Sequence, residues 1–136
     1  MAIKFIIPFI IGAICISTIS AQSNVMVYNA NKFANDLKNH PIAMVAFYAP
    51  WCHYSQDMLP EYDAASLVVK YLPDVKLIKI DCWTDLKDEA TCKSQGVLGF
   101  PTMKIFKYGV FYKDFNGPRK SYEIINEIFN VANTIY

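Results

Sequence analysis

At 136 residues, with 54% of positions hydrophobic, the chain has the length of one domain and enough apolar residues to bury a core. Its 13 Lys+Arg stand against 12 Asp+Glu, a formal net charge of +1, and Lys4 is the one charged residue before Gln22. Such a balance argues against a nucleic-acid binder, which needs a basic stripe, and against selection of strongly acidic partners.

Lys4 precedes an apolar run from Phe5 to Ile16, followed by the small residues Ser17, Thr18, Ser20 and Ala21. This is the layout of a secretory signal peptide, with cleavage expected after Ala21, giving a signal at 1–21 and a domain at 22–136. The run is short for a bilayer span and contains Pro8, so removal is expected over a retained anchor, with no stable membrane insertion afterwards. Cys15 leaves with the signal. Asn133-Thr134-Ile135-Tyr136 lacks a Lys-Asp-Glu-Leu type retrieval signal, and no Asn-x-Ser/Thr sequon is present. The expected location is the endoplasmic reticulum lumen or the exterior, both oxidising.

Val25 to Tyr28 reads as a short strand, and Asn31 to Asn39 as a helix with Phe33, Ala34 and Leu37 on one face and Asn29 or Asn31 as cap. His40-Pro41 closes that helix, because a residue before proline leaves the helical region. Ile42 to Tyr48 is a buried strand. Pro50 ends it, and Met58, Leu59, Tyr62, Ala65 and Val69 mark a helix over Cys52 to Tyr71, which Pro60 should kink rather than stop. Val75 to Ile80 is the next strand, Leu86 to Gln95 a polar helix ended by Gly96, and Thr102 to Tyr108 with Val110 to Phe115 a hairpin about Gly109. The last helix should bury Ile124, Ile125, Ile128, Phe129 and Ala132. The order β-α-β-α-β-α-β-β-α predicts an α/β domain with a mixed central sheet flanked by helices.

Cys52 falls at the junction of strand and helix. Free N–H groups and the helix dipole favour a thiolate there, and the thiolate is the form that attacks disulfides. The alternative is an ordinary buried cysteine. Ser55 lies one turn further on, so its hydroxyl can face the sulfur, but it forms no disulfide. Equally, Ser55 is an inert residue of the helix start. His53 and Tyr54 fill the two positions between. His53 as imidazolium is a candidate to hold the thiolate, against the alternative of an exposed bystander.

Phe47-Tyr48-Ala49-Pro50-Trp51-Cys52 with Leu59-Pro60-Glu61-Tyr62 resembles the active-site segment of the thioredoxin-fold protein disulfide isomerases. Gly99-Phe100-Pro101-Thr102 is similar to that family's cis-proline loop, and Phe115-Asn116-Gly117-Pro118-Arg119 to its last strand and the approach to its last helix. The three blocks occur in the family's order, and the likeness runs from about Val25 to Tyr136. It implies a thioredoxin fold, thiol–disulfide exchange through Cys52, and a client strand paired beside Trp51, Tyr54, Phe100 and a cis Pro101.

Three departures stand out. Ser55 replaces the family's second active-site cysteine, Ala46 replaces its buried carboxylate, and the histidine precedes its usual place. Lys79 and Arg119 match residues that tune the missing groups, so each is either a pKa-tuning residue or a surface charge. With one active-site thiol, intramolecular oxidation and reduction are excluded. What remains is a mixed disulfide with a client, resolved by a client thiol or by glutathione. In an oxidising lumen Cys82 and Cys92 are expected to form a structural disulfide, with a second redox pair as the competing reading. No metal site is expected, since neither has the His/Cys neighbours zinc requires, and no cofactor is implied. The expected function is protein disulfide isomerase-like exchange on unfolded or disulfide-containing clients. The alternative is a redox-poor chaperone or client-retention module of the same fold.

Overall fold

A computed structural model describes Gly12 and residues 21–134, so the expected signal peptide lies outside the described residues apart from those two positions at 12 and 21. The elements follow the predicted order: β1 (Met26–Tyr28), α1 (Ala30–Asp36), β2 (Ile42–Tyr48), α2 (His53–Val69), β3 (Val75–Asp81), α3 (Leu86–Ser94), β4 (Thr102–Lys107), β5 (Val110–Phe115) and α4 (Ser121–Asn133). The five strands form one sheet in the order β1-β3-β2-β4-β5. β1 and β2 run parallel to β3, whereas β4 is antiparallel to both β2 and β5.

β2 explains why its sequence is an unbroken apolar run rather than an alternating one. Ile42, Met44 and Ala46 point into a core shared with α2 and α4, including Met58, Tyr62, Ile124 and Ile128. Ala43, Val45 and Phe47 point to the other face, into a core completed by Leu37 after α1 and by Cys92 of α3. A strand covered on both faces has no solvent side to mark with polar residues. Phe33 of α1 meets Phe47 and Phe106 edge-on, with centroids 5.9 and 5.8 Å apart.

Local chemistry sets the boundaries. Asn29 caps α1 by accepting the Lys32 N–H, so the helix starts at Ala30, one residue earlier than Asn31. It also ends earlier, passing into a 3-10 turn at Leu37–Asn39. Pro60 lies inside α2, which continues to Val69. The hairpin turns on Tyr108 and Gly109, both at positive φ (48° and 80°), between the paired residues Lys107 and Val110. A Cβ on Gly109 would also come within 2.9 Å of the Lys38 backbone. In α4 Ile124, Ile128 and Val131 are buried and Ile125 and Ala132 pack against the core, but Phe129, expected inward, is exposed. The spacing i, i+4, i+7 follows the 3.6-residue period, which rotates Phe129 off the stripe.

A polar knot ties the start of the fold together. The Tyr28 hydroxyl donates to Asp36, and His40 Nε2 lies 3.3 Å from Asp36 Oδ2. The Tyr28 hydrogen bond, followed by that from Asn39, lowers the Asp36 carboxyl from its ordinary value to about 2. A depressed carboxylate stabilises the fold above its unfolded pKa of about 3.9, and that contribution is lost as pH falls through about 2. Asp36→Asn is therefore expected to flatten the fall in Tm over that acid window while leaving the slope above about pH 5 unchanged. Parallel slopes for the two proteins across the window would show that the knot is not a source of acid sensitivity.

Candidate functional site

The chain leaves β2 at Tyr48, turns through Ala49 and Pro50, and enters α2 at His53, with Cys52 as the N-cap in an extended conformation. The Cys52 N–H donates to Ala49 O at 3.1 Å, closing the turn that aims the side chain. Sγ of Cys52 lies 3.5 Å from Phe100 O, to which the thiol donates, and Cys52 is half-buried. The Phe100–Pro101 peptide is cis. Two segments 48 residues apart in the chain thus meet at one sulfur.

Around it, Trp51 makes edge-on contacts with Trp83, at 5.4 Å between centroids, and with Phe100 at 6.1 Å. Trp51 and Trp83 remain 57% and 61% exposed, and Tyr54 is exposed as well. These rings form an open apolar rim beside the thiol, not a lid over it.

Ser55 is fully buried, and its Oγ accepts the Ala49 N–H at 3.3 Å. The hydroxyl thus braces the turn before the helix. His53 Nε2 pairs with Asp57 Oδ2 at 3.2 Å on the exposed side of α2. This is an i,i+4 pair, which helix geometry favours at this spacing. Lys79 is paired in register with Ala46, so a methyl group stands where a buried carboxylate would meet it, and among the described residues Lys79 has no ion-pair partner. Arg119 does reach the site, with Nη2 3.5 Å from Pro101 O.

Cys82 and Cys92 are joined in a disulfide, S–S 2.06 Å, and both are buried. Among the described residues Cys52 is the free cysteine. No group of three His, Cys, Asp or Glu able to hold a metal occurs among them.

Two contributors escaped the sequence. Trp83 carries no spacing signal and becomes part of the site only because β3 ends next to β2, with the Cys82 N–H donating to Tyr48 O at 2.9 Å. Glu61 accepts the Ser121 N–H at 2.8 Å and so caps α4 from another helix. That backbone hydrogen bond holds the Glu61 carboxyl below its usual range. It fixes the start of α4, two residues after Arg119. Their separation of 60 residues hides it from local capping rules.

A parallel-antiparallel sheet of this order, with a cysteine capping the helix after its central strand and facing a cis-proline loop, defines the thioredoxin class of domain. The thioredoxin family model matches residues 24–130. The chain is 34% identical over 128 residues to the probable protein disulfide-isomerase ER-60 of Schistosoma mansoni, covering 93% of this chain and 26% of that protein. It is 37% identical over 103 residues to a protein disulfide-isomerase of Hordeum vulgare, covering 74% and 20%. Among solved structures, human ERp44 in its zinc-bound form superposes with a TM-score of 0.72 at 24% identity, over 79% of this chain and 30% of that one. The Trx4 domain of ERdj5 superposes with a TM-score of 0.71 at 23% identity, over 83% and 99%. The chain belongs to the thioredoxin family, as a thioredoxin-like domain of the protein disulfide isomerase kind. It spans about a quarter of the length of the Schistosoma relative and a fifth of the barley one.

Proposed function

We propose that this domain carries out one-thiol exchange on client polypeptides, with Cys52 as nucleophile. The observation that carries the reading is the pairing of a half-buried free thiol at Cys52 with a buried hydroxyl, Ser55, one turn along the same helix. Thiolate sulfur attacks one sulfur of a client disulfide; the Cys52–client bond forms as the client bond breaks, and the second client sulfur leaves as thiolate. Release needs a second thiol, from the client or from glutathione, to attack the client sulfur, with Cys52 departing as thiolate. Cys82 and Cys92 supply no such thiol while they are bonded to each other. The domain therefore shuffles or holds disulfides and adds none.

The relatives carry names of disulfide isomerases, and the exchange geometry here supports the same class of reaction with half of the usual thiol pair. The site takes no cofactor in this mechanism. Lumenal or extracellular residence fits both the Cys82–Cys92 bond and an N-terminal signal cleaved after Ala21. Among the described residues no helix is long and apolar enough to cross a membrane.

The open rim of Trp51, Tyr54 and Trp83 favours a second reading, a chaperone or retention module that grips clients without turnover. Reactivation of scrambled ribonuclease separates the two. Exchange predicts turnover that disappears in Cys52→Ala. Suppressed aggregation without turnover, equal in the parent chain and in Cys52→Ala, would leave the holding role alone.

A further inference from the structure

Trp51, Tyr54, Trp83 and Phe100 bring no charge to the rim of the thiol, and His53 beside them is paired with Asp57. The cation that does reach the cis-proline loop is Arg119, whose Nη2 donates to Pro101 O at 3.5 Å. A guanidinium carries five N–H donors, so this one bond leaves most of the fork open. The carboxylates at hand are engaged elsewhere. Glu61, which caps α4, is held by Lys120 at 3.5 Å and by the Ser121 N–H at 2.8 Å, and Asp114 by Lys104 at 2.7 Å. Among the described residues Arg119 itself has no carboxylate partner.

Arg119 opens onto a cleft of about 330 Å³, lined also by Phe100, Pro101, Thr102, Asn116 and Gly117. Thr102 spends its hydroxyl proton on Gly99 O at 2.7 Å, which leaves Arg119 and Asn116 as the side-chain donors for an occupant. The cleft is joined to the reacting atom through the loop. Cys52 Sγ lies against Phe100 O and Arg119 Nη2 against Pro101 O, so sulfur and fork stand on successive carbonyls. On the other flank of the loop the cation is Lys93, already tied to Glu89 at 2.8 Å.

We propose that the Arg119 cleft is a carboxylate subsite, which selects the partner whose sulfur bonds to Cys52. This rests on the exchange reading of Cys52. An unpaired guanidinium fork matches a carboxylate in shape and charge. An extended chain advances only about 3.3 Å per residue, so the carboxylate belongs to a residue one or two positions from the partner's cysteine. Two partners carry that chemistry: a client with Asp or Glu beside its cysteine, and glutathione. The preference is one-sided along a client, because the Lys93 flank offers no unpaired cation.

Short peptides whose single cysteine is activated as a 2-pyridyl disulfide test this. Cys52 thiolate attacks the peptide sulfur and forms the Cys52–peptide bond; the bond to the pyridyl sulfur breaks, and the leaving thiolate takes a solvent proton to become 2-thiopyridone, read by its absorbance. Glutamate is placed in turn at the two positions on each side of the cysteine, against glutamine at the same place in an otherwise neutral peptide. Glutathione activated in the same way is compared with its diethyl ester. Each ratio is divided by that measured with mercaptoethanol, which removes differences in intrinsic reactivity. The expected result is a corrected ratio of about fivefold for the acidic partner, on one side of the peptide cysteine only. It should fall to near one in Arg119→Gln, and shrink in the parent chain when salt is raised to about 0.5 M. A changed thiolate fraction at Cys52 in Arg119→Gln acts on acidic and neutral partners alike and cancels, so the ratio is blind to a pKa-tuning role. A gain confined to the peptides assigns the subsite to clients, and one confined to glutathione assigns it to the small thiol. Ratios near one for both, equal gains on the two sides of the cysteine, or a gain that survives Arg119→Gln would overturn the subsite and leave exchange at Cys52 intact. Failure of every probe to release 2-thiopyridone would instead remove the exchange reading, and the subsite with it.

Discussion

Ser55→Cys is expected to shorten the lifetime of client complexes by at least about a hundredfold, because a thiol one turn away attacks at a far higher effective concentration than any thiol in solution. The parent chain should accumulate mixed disulfides that resist washing and dissolve only on adding glutathione or dithiothreitol. In Ser55→Cys the introduced thiol attacks Cys52, the bond to the client breaks, and the client leaves as a thiolate. The domain then carries an intramolecular disulfide, which it can pass to or receive from a dithiol client. Cys52→Ala should abolish covalent capture outright, in either background. The readout is the half-life of the disulfide-linked adduct on non-reducing gels after acid quenching. Ser55 is fully buried, with Oγ accepting the Ala49 N–H, so the exchange of oxygen for sulfur also weakens one brace. A circular dichroism melt of the variant separates that structural effect from the kinetic one. Adducts that persist equally in the parent and in Ser55→Cys would show that the missing thiol is not what governs release.

The largest effect on stability is expected at Tyr62. Its ring is fully buried in the core between α2 and the sheet, and its hydroxyl lies 2.7 Å from Met44 O and 3.0 Å from Ile78 O. One side chain thereby ties α2 to the two central strands β2 and β3. Tyr62→Phe keeps the ring and loses the proton donor, which should cost about 1 kcal/mol. Tyr62→Ala leaves a ring-sized cavity and should cost about 3–5 kcal/mol. That is a large part of the roughly 5–15 kcal/mol available to a small domain, so Tyr62→Ala should stand near the limit of folding. Urea titration of both variants gives the comparison, with an unchanged m-value required for a clean reading. A Tyr62→Ala variant within about 1 kcal/mol of the parent would mean that the core closes around the gap.

Because burial raises the Tyr62 hydroxyl well above its ordinary range, the tie to the strands stays protonated throughout the physiological range. The acid limb of the stability profile therefore falls to carboxylates such as Asp36, held low by Tyr28, and Glu61, held low by the Ser121 N–H. Stability from both carboxylates is present above their unfolded values of about 4 and declines as pH drops through the folded ones.

What the sequence determined by itself was the order of elements and the position of Cys52. The apolar run of β2, the proline at 50 and the 3.6-residue spacing after it are local features, and local features place Cys52 at a helix start. The two positive-φ residues of the hairpin and the cap at Asn29 are local for the same reason. Tertiary structure decided which groups meet the sulfur. Phe100 and Trp83 arrive there from the ends of other strands, Glu61 fixes the approach of Arg119, and His53 pairs with Asp57. A sequence records the spacing along a helix but not the direction in which an exposed side chain finds its partner. A cleft of about 210 Å³ is a case of this: the Cys82–Cys92 bridge lines it together with Trp83, Val97 and Phe100, and no pattern within any one of those segments encodes the space between them.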